Sequence, residues 1–269
     1  MNICFIGGGN MASALIGGML GEGFSAAQIN VVEINADNRA GLQRDFGVRV
    51  YPDISEGVID SQIVVLAVKP QQLHGVAQQL APVLNDQLLI SIAAGIRAVD
   101  LARWLNSQTV IRAMPNTPAL IRCGMTGLFA LPAVKAAQRE QAQHILEAVG
   151  EILWVQDEVM LDAVTAISGS GPAYVFYFIE ALQQAALELG FDAEQARQLS
   201  LSTFVGASKL AAASNEDAGV LRARVTSRNG TTERALSTMT ENHVAEHILQ
   251  AAQAAAQRAS EMGDELGVR

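Results

Sequence analysis

The chain has 269 residues, half of them apolar and 17% charged, with a formal net charge of −9. That length holds one large α/β domain, or a nucleotide-sized domain with a smaller companion. The apolar fraction excludes a largely disordered chain, and the acidic balance argues against nucleic acid, whose phosphates select clustered Lys and Arg.

In chain order, short β-branched runs alternate with turns and amphipathic stretches: NICFI, INVVE, VRV, QIVVLAV, QLLISI, TVIRAM and EILWV. This rhythm predicts an α/β, Rossmann-like, doubly wound parallel sheet over residues 1–157. QIVVLAV, residues 62–68, is apolar almost throughout, as expected of a central strand covered on both faces. From about residue 158 the strand signal stops, and a C-terminal all-helical domain over 158–269 is expected. Its segment Ala173 to Leu189 is apolar nearly all round, broken only by Glu180, Gln183, Gln184 and Glu188. So short a domain has little chain to wrap such a helix, so a second copy is expected to cover it; a helix wrapped by its own domain is the alternative.

The N-terminus MNICFIGGGN carries no cationic segment, and no run of about 18 apolar residues occurs, so neither export signal nor membrane span is expected. Cys4 and Cys123 are far apart and outside any CxxC spacing, which suggests no disulfide, no metal site and a cytoplasmic setting.

Three segments belong to the rim where such sheets bind ligands. FIGGGNMA, residues 5–12, spaces Gly7, Gly9 and Ala12 as GxGxxA between the first strand and a helix. Gly7 permits the tight turn, Gly9 the close approach of a pyrophosphate, and Ala12 the packing of helix on strand. Glu33 ends the second strand, where a dinucleotide-binding acid is expected near the ribose. AVKPQ (67–71) and SIAAG (91–95) end two further strands, and the small residues Ala93, Ala94 and Gly95 suit a flat nicotinamide ring. Ordinary loop punctuation, or a ligand-free glycine turn, explains each of these taken singly. VTSRNGTTERAL, residues 225–236, crowds Thr226, Ser227, Asn229, Gly230, Thr231 and Thr232 before a helix, a pattern that also suits plain capping.

FIGGGNMA, AVKPQ, SIAAG, RAMPNTPA (112–119), SGSGPAY (168–174) and GTT (230–232), in this order across nearly the whole chain, resemble the pyrroline-5-carboxylate reductase family. The resemblance implies reduction of the cyclic imine 1-pyrroline-5-carboxylate to L-proline, the last step of proline biosynthesis, with NADPH or NADH. It implies a homodimer through the helical domain, or a higher homo-oligomer built from that dimer. Position by position, it places Gly7, Gly8, Gly9, Asn10, Met11, Ala12, Val68, Lys69, Pro70, Ala94 and Gly95 at the cofactor. Gly230, Thr231 and Thr232 fall at the substrate, with Ser227 close by and Ser168 and Gly169 helping to build the pocket. On that scheme amides at Gly230 and Thr231 hold the substrate carboxylate and Thr232 reaches the ring nitrogen, as the key polar side chain.

This sequence departs from the family in two places. Arg228 and Asn229 stand where a Pro-Gly pair is common before the threonines, which bears on substrate affinity. At the second strand end Glu33 favours NADH, whereas Asn35 and Arg39 suit the 2′-phosphate of NADPH. Two rivals remain: a β-hydroxyacid dehydrogenase using Lys209, and a non-catalytic dinucleotide-sensing dimer.

Overall fold

The computed structural model describes residues 1–267. It divides into two compact units, Met1–Ser170 joined by the segment from Ala254 onward, and Gly171–Gln253.

The first unit is built on eight strands: β1 (Ile3–Ile6), β2 (Ile29–Val32), β3 (Arg49–Tyr51), β4 (Ile63–Leu66), β5 (Leu88–Ser91), β6 (Val110–Met114), β7 (Gly124–Ala130) and β8 (Gly150–Trp154). Their order in the sheet is β3-β2-β1-β4-β5-β6-β7-β8. Every pairing is parallel except β6 with β7. The helices are α1 (Asn10–Gly21), α2 (Ala36–Phe46), α3 (Ile54–Val58), α4 (Pro70–Leu80), α5 (Ala98–Leu105), α6 (Ala136–Glu147) and α7 (Met160–Val164), followed by a π-helical turn over Thr165–Gly169.

β1, β2, β4 and β5 are buried along their whole length, because helices cover both faces of the sheet. The pleat sends alternate residues to opposite cores. Ile3 and Phe5 join Leu15, Ile16 and Met19 of α1 and Ile145 and Leu146 of α6. Cys4 and Ile6 join Leu73 and Leu80 of α4 and Leu101 and Leu105 of α5. Burial pushes the Cys4 thiol up to about 12, so it packs as a small apolar side chain.

β7 was not expected from the sequence. GMTGLFA lacks a β-branched alternation and carries two glycines. The glycines are needed there: a Cβ on Gly124 would lie 2.9 Å from the Val149 carbonyl oxygen, and one on Gly127 would lie 2.7 Å from Val164 Cγ1.

By contacts, the two compact units divide after Ser170, beyond the boundary expected at 157/158. Residues 158–170 pack with the sheet, since Leu161 is fully buried and Val164 lies against β7. At the other end, the chain returns to the first unit, where Leu266 joins the core formed with α4 and α5.

The second unit holds α8 (Gly171–Glu188), α9 (Ala193–Ala212), α10 (Ala218–Arg224), α11 (Thr231–Glu241) and the start of α12 (Val244–Gly267). α9 begins with a capping box in which Asp192 Oδ1 accepts from the Gln195 amide at 2.8 Å and Gln195 Oε1 accepts from the Asp192 amide at 3.2 Å. Among the described residues, the only hydrophobic side chains buried between Gly171 and Gln253 are Ala186 and Ala196. Phe176, Tyr177, Leu189, Val205 and Leu210 are exposed.

Candidate functional site

Four strand ends meet at one edge of the sheet. Parallel pairing sets Ile6 beside Val32 and Leu66, and Leu66 beside Ser91, so the segments that follow leave at a common level. The strand order reverses between β1 and β4, the place where open α/β sheets bind ligands.

At this reversal the chain makes the glycine turn. Gly7 has a φ of 101°, and its amide donates to the Val32 carbonyl at 2.8 Å. A Cβ would sit 2.8 Å from the Ala67 carbonyl oxygen and 3.0 Å from Val68 Cγ1, so conformation and space both require glycine. Gly8 is buried, and its amide donates to Glu33 Oε2 at 3.0 Å. Gly9 differs: it is exposed, extended, has no heavy atom within 4 Å of where a Cβ would be, and opens α1 without a side-chain cap. Orphan amides of a helix N-terminus beside open space form an anion seat, and a dinucleotide pyrophosphate fits it. Asn10 is exposed at this seat, Met11 packs partly on the core, and Ala12 is 1% exposed under α1.

Glu33 carries a carboxylate held by two backbone donors, Gly8 at 3.0 Å and Asn35 at 2.8 Å. Arg39 folds back beside it, with Nη1 donating to the carbonyls of Glu33 at 2.7 Å and Ile34 at 2.9 Å. The Asn35 side chain caps α2 by accepting from the Asn38 amide at 2.9 Å. An acid and a cation therefore share this strand end.

After β4, Val68 packs on the glycine turn, Lys69 is exposed at the cap of α4, and Pro70 opens that helix. After β5, Ala94 is half-buried and Gly95 buried. Gly95 needs a correction of detail: its bare side, at a φ of 71°, faces Met262 of α12, whose Cβ is 3.0 Å from where a Cβ would stand. The glycine serves that close approach.

Ser168 and Gly169 lie in the π-helical turn, and the RAMPNTPA segment holds them. Asn116 Nδ2 donates to the Ser168 carbonyl at 3.2 Å and to its Oγ at 3.1 Å, while Asn116 Oδ1 accepts from the Met125 amide at 2.9 Å. A Cβ on Gly169 would lie 2.6 Å from Met114 Cε. Arg112 anchors the same segment: its buried guanidinium meets Glu158 at 3.1 Å and Asp162 at 3.5 Å. Glu158 Oε1 also accepts from the Ala98 amide at the start of α5, at 2.6 Å. Arg112, Asn116, Glu158 and Asp162 were missed as site residues. The signal was present, because an arginine within a strand as apolar as VIRAM needs a buried acid for a partner.

The residues Ser227, Gly230, Thr231 and Thr232 belong to the helical unit, whereas the residues expected at the cofactor all belong to the sheet unit. Asn229 adopts a φ of 58°, a left-handed conformation that Asn tolerates better than most residues. The turn is thus made without glycine at this position. The Gly230 amide donates to the Ser227 carbonyl at 3.0 Å, and a Cβ on Gly230 would collide with Ser227 Oγ. Gly230 opens α11 in an extended conformation without a side-chain cap, and Glu233 reaches back to accept from the Asn229 amide at 2.5 Å. Thr231 is exposed and Thr232 half-buried. Lys209 and Arg228 are exposed.

Comparisons with known proteins bear on this arrangement. Residues 158–262 match the family described as pyrroline-5-carboxylate reductase dimerisation, and residues 2–95 match one described as NADP oxidoreductase, coenzyme F420-dependent. A pyrroline-5-carboxylate reductase of Pseudomonas aeruginosa is 47% identical over 267 residues, covering 98% of both chains. Among solved structures, a pyrroline-5-carboxylate reductase from Coxiella burnetii superposes with a TM-score of 0.92 at 39% identity, covering 97% of this chain and 98% of that one. The Plasmodium falciparum pyrroline carboxylate reductase, solved with NADP bound, superposes with a TM-score of 0.88 at 28% identity, covering 98% of each.

The buried ion cluster yields a stability prediction. Arg112→Met strands two acids without their cation and should lower unfolding free energy by about 3 kcal/mol, the usual scale for breaking a buried pair from one side. Glu158→Gln keeps a carbonyl acceptor for the Ala98 amide and should cost less. Calorimetric unfolding of both variants checks the order; equal melting temperatures for Arg112→Met and the parent chain would contradict it.

Proposed function

The chain belongs to the pyrroline-5-carboxylate reductase family and is an NAD(P)H-dependent reductase of the C=N bond of 1-pyrroline-5-carboxylate, yielding L-proline; from that premise we propose how its residues divide the work. The β-hydroxyacid dehydrogenase reading of Lys209 and the non-catalytic sensor fall away with the family assignment.

Gly9 and Asn10 at the head of α1 hold the dinucleotide pyrophosphate, with Gly7, Gly8, Met11 and Ala12 shaping the turn. Val68, Lys69 and Pro70 border the cofactor on one side and the Ala93–Ala94–Gly95 loop on the other. When bound, NAD(P)H supplies a hydride to the imine carbon. The nitrogen takes one proton from solvent or arrives already protonated, so the balance is one imine, one NAD(P)H and one proton to one proline and one NAD(P)+.

Nothing in this reaction needs a strong base, and the four histidines fit that economy. His74 packs edge-on to Trp104 and His144 stacks on Phe24. His243 joins α11 to α12 at a φ of 54°, and His247 is exposed on α12. The chain's task is to hold the imine. The observation that carries this reading is the uncapped start of α11: Glu233 and Ser227 engage Asn229 and Gly230, and no side chain caps the helix. The Gly230 amide is taken by the Ser227 carbonyl, so the Thr231 amide at the positive end of the helix is the donor suited to a substrate carboxylate, and the Thr232 hydroxyl is suited to the ring nitrogen. Ser227 fixes the loop. Ser168 and Gly169 act as wall residues, set by Asn116 and Met114.

The functional unit is proposed to be a homodimer through the helical unit. An apolar groove of about 410 Å³ between α8 and α12 is lined by Tyr174, Tyr177, Phe178, Val244 and Ile248, and the Tyr174 hydroxyl is buried without a hydrogen-bond partner. A second copy is the natural cover, with a higher homo-oligomer an extension of it. Among the described residues no helix is long and apolar enough to cross a membrane. A cytoplasmic setting without nucleic acid fits the acidic surface.

Thr232→Ala should lower kcat by about 10- to 1000-fold, the scale of one oriented donor, with little change in dinucleotide affinity. Steady-state kinetics with the imine, beside fluorescence titration of NADPH, checks this. An unchanged kcat would return Thr232 to helix capping.

For cofactor choice, Glu33 is proposed to favour NADH by repelling the 2′-phosphate. Glu33→Gln removes the charge but keeps an acceptor for the glycine turn, and should raise the NADPH-to-NADH ratio of kcat/KM by about tenfold, equivalent to ~1.4 kcal/mol. A constant ratio would assign Glu33 wholly to holding Gly8 and Asn35.

A further inference from the structure

Hydride transfer requires the donor and acceptor carbons to approach within about 3–3.5 Å, and a displacement of about 1 Å costs on the order of a hundredfold in rate. What fixes the loop against which the nicotinamide is placed therefore matters as much as the loop itself. Its backbone leaves the sheet at Ile92, whose amide donates to the Leu66 carbonyl at 3.1 Å, and α5 starts at Ala98. Between these points Ala93, Ala94 and Gly95 have no strand neighbour to set their height.

α12 provides that neighbour. Beside the bare face of Gly95 stand Met262 Cβ at 3.0 Å, Met262 Cε at 3.3 Å and Leu266 Cδ1 at 3.5 Å, measured to the position a Cβ would occupy. Leu266 is 9% exposed and belongs to the same core as Ala93, Ile96 and Ala98. Two glycines on α12, Gly263 and Gly267, bring the helix close. A Cβ on the first would lie 3.1 Å from Arg97 Nε, and one on the second would collide with the Asp100 carboxylate. Polar contacts ring the seat: Arg97 with Asp264 at 2.7 Å, and Arg103 Nη2 donating to the Gly267 carbonyl at 2.6 Å. The Arg97 and Asp264 side chains are 37% and 68% exposed, so water screens the pair and the apolar seat carries the contact.

We propose that the last two turns of α12 are a positioning element for the reaction: Met262 and Leu266, pressed on Gly95, set the height of the Ala93–Ala94–Gly95 loop beneath the nicotinamide. The proposal rests on that loop being the nicotinamide wall. Met262 touches neither cofactor nor imine and acts only through Gly95.

The test measures NADPH affinity by fluorescence titration, kcat with the imine, and the primary deuterium isotope effect on kcat with nicotinamide-deuterated cofactor. Met262→Ala should weaken NADPH binding by about three- to tenfold and lower kcat by about 10- to 100-fold. Its isotope effect should rise as hydride transfer becomes more rate-limiting. Met262→Leu, which conserves volume, should restore all three readouts, and Asp264→Asn should change none by more than about twofold. Should Met262→Ala fail to fold, Met262→Val loses less volume and is read in the same way. A folded Met262→Ala with the parent affinity, kcat and isotope effect overturns the proposal. Ala94→Val tests the premise separately, since a branched side chain on the wall should weaken NADPH binding by about tenfold or more. Parent affinity in Ala94→Val overturns both premise and proposal; weakened binding there with an unaffected Met262→Ala overturns the proposal alone.

Discussion

The helical unit cannot bury its own apolar side chains. Between Gly171 and Gln253 no described hydrophobic side chain larger than alanine is fully buried, and α8 alone exposes Val175, Phe176, Tyr177, Leu182 and Leu187. Each fully buried side chain of this size contributes about 1.5–3 kcal/mol, so a set this large left in water cannot sustain four packed helices. The match of residues 158–262 to a dimerisation family gives that deficit its meaning. The loop from Ser227 to Thr232 is carried by α10 and α11, which share the deficit. At the substrate site proposed for this loop, placement of the imine would therefore depend on a surface that one chain does not complete.

The sheet unit stands in contrast. Its strands β1, β2, β4 and β5 are wholly buried between two cores, and the exits at its ligand edge are fixed by close contact. Gly7 is pressed on the Ala67 carbonyl, Glu33 holds the amides of Gly8 and Asn35, and Gly95 is pressed on α12. The Arg112 guanidinium draws Glu158 and Asp162 to β6, and Glu158 in turn accepts from the start of α5, while Asn116 separately holds Ser168 in the π-helical turn. Buried ion pairs of this kind add little net stability but penalise any displacement of one partner. That property suits a frame that must hold two reactants at a fixed distance.

The sequence was most legible where chemistry and local conformation coincide. Gly7 is required by its φ and by the Ala67 carbonyl beside it, whereas Gly9 leaves open space at the head of α1; a motif of glycines after a strand pointed to both. Burial on two faces made the apolar run of β4 readable for the same reason. β7 was hidden because its glycines answer to tertiary neighbours, Val149 and Val164, that no local pattern reveals. Gly95 was expected at the cofactor, but its need for glycine in the structure comes from Met262, far along the chain. The boundary at 157/158 followed the change from strand to helix periodicity, whereas the packing of Leu161 and Leu266 draws both ends of the helical region onto the sheet. Asn229 departs from the family letter while keeping the turn, since its left-handed φ is a state that asparagine and glycine share.

The account stands or falls on the incompleteness of the single chain. Sedimentation velocity from nanomolar to micromolar concentration, paired with far-UV circular dichroism at each point, tests it directly. The prediction is a dimer, or a multiple of one, throughout the range where helicity is complete, with helicity and imine reduction falling together if dilution releases monomer. A monomer with full helicity and undiminished turnover would contradict it, and would mean that Gly171–Gln253 finds its core within one chain.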